Sequence, residues 1–232
     1  MEIQDFRGVI VKATDLLQVY PTDIRLLASH AVASEGLSAH KEAEAIWDKL
    51  QEIFPSNDEG KTVMLAGKMR AILWQADFER FLATAEAYCA MAIPNTSKVA
   101  ELDQLACLPL YGQVPEEKHH AALGLAEFCV RKALELAPNR VTLKGTLGGC
   151  LVERGHFDEA EPLLMECYQN GSTFDRAICS LFLGLIAEHR HEWRTALRFA
   201  RESTVLVTPP LLARRGGELR ERLAKRKESL KT

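Results

Sequence analysis

At 232 residues, 47% hydrophobic and 26% charged, the chain carries enough apolar material for a core, which excludes a disordered polymer. A net charge of −3 and a pI near 6.2 exclude the electrostatic footprint of a whole-molecule nucleic-acid binder. No apolar run approaches the roughly 18 residues needed to span a bilayer as a helix.

Helical periodicity runs through the whole chain, and strand-like alternation is scarce. Residues 3–19 read as one helix, with Phe6, Val9, Ile10, Ala13, Leu16 and Leu17 on one stripe, stopped by Pro21. The segment Met1 to Asp5 has neither a basic nor an apolar run, so no signal peptide is expected. Helices follow near 22–37 and 39–54, with Gly36 close to the bend. The next pair, 59–75 and 78–92, is joined by a short turn around Gln75-Ala76-Asp77, a length that favours antiparallel neighbours. Thr96 or Ser97 can cap a helix reaching about Tyr111, which Pro109 and Gly112 fray or end. Pro115 opens a long helix over 115–136. Two clear hairpins come next, 140–154 with 156–170 and 174–190 with 192–207. Beyond Pro209 and Pro210 the basic tail predicts a last helix near 218–230.

Proline punctuates this series. Pro21, Pro55, Pro94 and Pro138 close apolar helical phrases at steps of roughly 34 to 44 residues. That period marks stacked helical hairpins, because one hairpin alone cannot bury its apolar face. From Val141 onward, Leu147-Gly148, Leu151, Gly155, Phe157, Ala160, Leu164 and Cys167 place large and small residues in a recurring order. Leu183-Gly184, Ala187, Trp193, Ala196, Ala200 and Ser203 repeat it. Small residues let two backbones approach, and their large neighbours fill the adjoining holes.

These residues resemble the tetratricopeptide repeat (TPR) family. The match is strong over 141–209, fair over 24–55 and loose over 59–138. The resemblance implies an all-α fold, a right-handed superhelical array of antiparallel helix pairs. It implies one TPR-like α-solenoid over 1–232, with a half repeat or N-terminal cap at 3–21. Hairpins would occupy 22–55, 59–94, 96–138, 140–172 and 174–209, and a basic capping helix 210–232. The stretch from Leu102-Asp103-Gln104-Leu105-Ala106 to Thr146-Leu147-Gly148 is also similar to helical repeats attached to bacterial site-2-type intramembrane metalloproteases. That weaker similarity would imply an accessory region of a larger membrane protein.

In the TPR family the first helices line a concave groove that grips peptides. Projected here, the groove holds Arg25, Ala28, Val32 and Glu35 in the early unit. Thr142, Gly145, Gly149, Val152 and Glu153 follow, then Ile178, Leu181, Leu185 and Glu188. The wall so drawn is small and apolar with acidic edges, and lacks the Lys and Asn set that clamps a terminal carboxylate. Gly145 and Gly149, costly inside a helix, would leave backbone open on it. Apolar contact with a protein or peptide partner, or self-association, is the expectation. Part of the wall could instead be filled by the chain's own last helix.

Catalytic patterns are weak. His191-Glu192-Trp193-Arg194-Thr195 begins like a zinc-protease helix, but Thr195 stands where the second histidine belongs. His119-His120 are adjacent and so point apart on a helix. Gly60-Lys61-Thr62 lacks the earlier glycine and strand of a phosphate loop. The six cysteines form no CxxC pair and sit in apolar runs, which suits buried thiols in a reducing, cytoplasmic compartment. No cofactor, metal or catalytic residue is expected. The tail from Arg214 to Lys231, rich in Lys and Arg, reads first as a solvated cap and second as a membrane-surface or acidic-partner contact.

Overall fold

A computed structural model describes residues 5–53, 58–205 and 210–229. Among these residues every regular element is an α-helix and no strand occurs. In order they are α1 (Phe6–Val19), α2 (Ile24–Gly36), α3 (His40–Ile53), α4 (Asp58–Gln75), α5 (Phe78–Ala90) and α6 (Asn95–Leu110). Then come α7 (Glu116–Leu136), α8 (Val141–Glu153), α9 (Phe157–Asn170), α10 (Thr173–His189), α11 (Trp193–Val205) and α12 (Pro210–Ser229). The chain divides into two compact units, Met1–Glu101 and Leu102–Thr232, with the division falling inside α6.

In the first unit each helix from α1 to α5 packs on the next, and α2 also touches α4. In the second, α7 to α12 do the same, while α8 also meets α10 and α10 meets α12. Through α2 with α4 and α8 with α10, the first helices of neighbouring helix pairs meet within each unit.

Local chemistry explains where the helices begin. Asp5, Asp23 and Asp77 each accept a hydrogen bond from the third helical amide, satisfying one orphan donor. Ser172 and Asp175 close a reciprocal capping box at α10. The hairpin bends share another device. Ser38, Ala76, Gly112, Gly155 and His191, in the bends α2–α3, α4–α5, α6–α7, α8–α9 and α10–α11, have φ of 62, 57, 69, 81 and 62°. A left-handed residue just past a helix end reverses the chain in few residues.

Packing follows the small residues. A Cβ on Gly148 would sit 2.5 Å from Leu164 Cγ, and one on Gly67 2.3 Å from the Trp47 ring. One on Gly184 would sit 3.0 Å from Leu219 Cδ2. Ala31, Ala43, Ala160, Ala196 and Ala200 are fully buried. Trp47 and Leu50 of α3 pack with Leu27 and Ala31 of α2 and Met64 of α4 in the first unit's core.

Two expectations are corrected. The last helix starts at Pro210 rather than near 218, passing through Gly216 and Gly217. Leu212, Leu219 and Leu223 are buried at helical spacing, and their burial outweighs the roughly 1 kcal/mol propensity cost of each glycine. α6 begins at Asn95, so Thr96 and Ser97 lie within its first turn rather than capping it, and Pro109 is tolerated one residue before its end. Pro55, expected as a stop, and Pro209, expected ahead of the basic tail, lie outside the described residues.

Candidate functional site

α1, α2 and α4 wall an open cleft of about 750 Å³ in the first unit. Phe6, Val9 and Lys12 come from α1, Ala28, Ser29, Val32 and Ala33 from α2, and Val63 and Arg70 from α4, with Trp47 of α3 behind. Val9, Val32 and Val63 are 39%, 47% and 54% exposed, so the rim is apolar and open to water. Val11, Leu16 and Val19 of α1 and the following Tyr20 are exposed as well.

A polar network stiffens the floor. The Trp47 indole N–H donates to Glu35 Oε1 at 2.8 Å, and Arg70 Nε donates to Glu35 Oε2 at 3.2 Å. Arg70 Nη1 also donates to Glu101 Oε1 at 2.8 Å. All three charged side chains are mostly buried, with two carboxylates flanking one guanidinium. A buried Arg held by two acids is fixed in place, and losing either partner leaves charge uncompensated. Nearby, burial lifts the Tyr88 hydroxyl to about 12, with Glu101 adding to the rise.

The second unit has a smaller recess of about 160 Å³, where α6, α8 and α10 converge. Asp103, Cys107, Leu110 and Tyr111 line it from one side, Thr142, Gly145 and Thr146 from α8, and Phe174, Asp175, Ile178, Cys179 and Phe182 from α10. Thr146 Oγ1 donates to Asp103 Oδ1 at 2.9 Å. Burial pushes the Asp103 carboxyl above the usual carboxylate range, against a smaller opposing effect of the Thr146 hydrogen bond. Burial, helped by the Asp103 charge, pushes the Cys107 thiol up to about 12. Tyr111 is raised too, chiefly by burial. The thiols of Cys167 and Cys179 share a hydrogen bond, which lowers Cys167 and raises Cys179.

The expected groove residues are divided between these sites. Ala28 and Val32 line the large cleft, and Glu35 braces it from below through Trp47 and Arg70. Arg25 is exposed and lines neither cavity. Thr142, Gly145 and Ile178 line the small recess. Gly145 and Gly149 are buried and do not leave backbone open as expected. A Cβ on Gly145 would come within 2.6 Å of Cys167 Sγ, and one on Gly149 within 2.9 Å of the Phe182 ring. Both glycines therefore serve close packing. Val152 and Leu181 are core residues, 6% and 1% exposed, and Leu185 is half-buried.

Glu153 and Glu188 are spent on the last helix. Arg215 Nη2 lies 2.6 Å from Glu153 Oε1, and Arg222 Nη2 lies 2.8 Å from Glu188 Oε2. Arg226 sits 3.9 Å above the Trp193 ring centre. The basic face of α12 thus points partly inward to its own unit, and the acidic edges drawn from sequence are already paired.

Sequence reasoning missed Asp103, Arg70 and Glu101. Their roles depend on neighbours 31 to 43 residues away in the chain, and no local pattern carries that signal. His189 ends α10 against the Phe157 ring, with centroids 4.3 Å apart, and His191 occupies the following bend. Among the described residues no three His, Cys, Asp or Glu side chains are grouped to hold a metal ion. All six cysteines are unbridged thiols, four of them buried. No helix among the described residues is long and apolar enough to cross a membrane. No protein-family model matches the chain, and no curated protein does either.

Proposed function

We propose that the chain is a non-catalytic scaffold for protein–protein interaction, built as a TPR-like α-solenoid whose concave side binds a peptide or a partner helix. The observation that supports this most is the open cleft of the first unit, with three half-exposed valines on its rim. Apolar surface left facing water on a preformed wall is what an amphipathic helix or extended segment buries on docking. Alternate-helix contact within each unit, α2 with α4 and α8 with α10, fits the layer of first helices that lines such a groove.

The test is affinity capture with the purified chain, alongside Val32→Glu and Val63→Glu. Both side chains are exposed, so each variant keeps its helical circular dichroism while losing the partner. Recovery of every partner by both variants would remove the cleft from consideration, and recovery of a turned-over small molecule would end the scaffold reading.

A second reading, self-association, draws support from the exposed apolar side chains of α1. Light scattering of wild type and Val11→Lys distinguishes it, because only assembly through that face is lost in the variant. For the basic tail we favour an internal cap over a membrane contact, since Arg215, Arg222 and Arg226 are engaged inside the unit.

A further inference from the structure

The recess between α6, α8 and α10 has a shape and a charge that specify an occupant. Its volume of about 160 Å³ suits one side chain, well below the range of roughly 300–1,000 Å³ for drug-sized ligand sites. Leu110, Phe174, Ile178 and Phe182 make its walls apolar. Asp103 provides a half-buried carboxylate at one end, where Thr146 Oγ1 supplies one hydrogen bond to Oδ1. A carboxylate offers about four acceptor sites, so most of its capacity is uncommitted.

The Arg140 charge favours the ionised Asp103, but from beyond ion-pair distance. Among the described residues no cation lies within ion-pair distance of Asp103. Arg140 also lines the recess, and its Nε donates to Thr142 Oγ1 at 3.4 Å. Asp175, the second acid in the lining, is occupied at Oδ2 by the Ser172 amide and hydroxyl. Two carboxylates against one guanidinium leave the lining formally negative. A half-buried carboxylate with uncommitted acceptor capacity in an apolar recess is the kind of group kept for binding.

We propose that this recess receives the alkylammonium side chain of a lysine carried by a bound peptide. The methylenes lie along Phe174, Ile178 and Phe182, and the ammonium meets the uncommitted oxygen of Asp103. The peptide part of the proposal rests on the groove reading above, whereas the cation pocket stands independently of it. Desolvation that raises the Asp103 carboxyl is relieved when an ammonium arrives, so binding and ionisation reinforce each other.

The experiment titrates the full ¹⁵N-labelled chain with n-butylammonium chloride and, separately, with its neutral isostere n-butanol. Wild type and Asp103→Asn are compared. The expected result is saturable shifts of amides in α8 and α10 with n-butylammonium alone, weakened about tenfold or more in Asp103→Asn, because a charge-assisted pair is lost. Equal response to n-butanol, or unchanged affinity in Asp103→Asn, overturns the pocket. Asp103→Asn keeps an oxygen for Thr146 and is expected to fold, which its helical circular dichroism checks. A second arm uses acetylated peptides carrying lysine or norleucine at one position. If n-butylammonium saturates the recess but lysine gives no advantage over norleucine in any peptide, the lysine-peptide assignment fails and the cation pocket stands.

Discussion

The same substitution, glycine to alanine, should move stability in opposite directions at two helical positions of the second unit. Gly148 lies where α8 crosses α9, and its new Cβ would fall 2.5 Å from Leu164 Cγ and 3.3 Å from the Ala160 carbonyl oxygen. Carbon atoms prefer about 3.5–4.0 Å, so the two helices must part by about 1 Å or Leu164 must leave its rotamer. Overpacking of this kind costs about 1–3 kcal/mol, and the gain in helix propensity returns about 1 kcal/mol. The net expectation is a loss of up to about 2 kcal/mol. Gly124 of α7 has no atom within 4 Å of its would-be Cβ, so alanine there gains about 1 kcal/mol from propensity alone. The two variants should therefore differ by about 1–3 kcal/mol, or about 2–12 °C in midpoint for a chain of this size. Thermal and urea unfolding followed by far-ultraviolet circular dichroism measure this directly, and both sites report on one unit. A Gly148→Ala protein as stable as Gly124→Ala would refute the helix-contact account of the glycines.

Further outcomes follow from other features. Ala76→Gly and His191→Gly should each stabilise by about 0.5–1 kcal/mol, because a left-handed residue without a Cβ avoids steric strain worth about 1–2 kcal/mol and returns part of that as entropy; urea midpoints check it. Glu35→Ala should cost about 2–4 kcal/mol, since it strips partners from both the Trp47 indole and the Arg70 guanidinium; a near-neutral result by urea unfolding would mean the network is ornamental. Leu181→Glu should unfold the second unit rather than merely disrupt docking, by burying a charge in its core, seen as loss of helical signal. Alkaline pH should weaken both units. Cys107 and Tyr88 hold protons up to about 12 in the folded chain, whereas the unfolded groups release them near 9 and 10. The folded state binds more protons between those values, so stability falls as pH rises from about 9 toward 12. A midpoint that is flat across that window would contradict the burial of both groups.

Much of this architecture is readable from residues alone, and the reasons are specific. The Leu147-Gly148 and Leu183-Gly184 pairs announce close helix contacts because large-beside-small has one steric meaning. Helix limits agree within a few residues wherever an aspartate cap or a proline marks them, as at Asp23 and Pro115. The start of α12 is misread because Gly216-Gly217 looks like a break, and only the buried leucines around it show why the helix continues. Bends at Ser38, Ala76 and His191 carry no glycine and so give no local sign of positive φ. The site is harder to read than the fold. Val32 follows from helical spacing, but Leu181 and Val152 sit on the same drawn face and prove to be core. Which side of a helix meets solvent depends on its neighbours, and Asp103 acquires its setting only when Thr146 arrives from 43 residues away.

The five bends with positive φ have a consequence for how these hairpins respond to force. At Ser38, Ala76 and His191 the backbone is held in a conformation that those residues leave readily when the flanking helices stop pressing on each other. A guest that wedges a hairpin open would release that tension first at the bend, several turns from where it is seated. Amide hydrogens at these three positions would then report occupancy from a distance, like a spring whose recoil is visible at its hook.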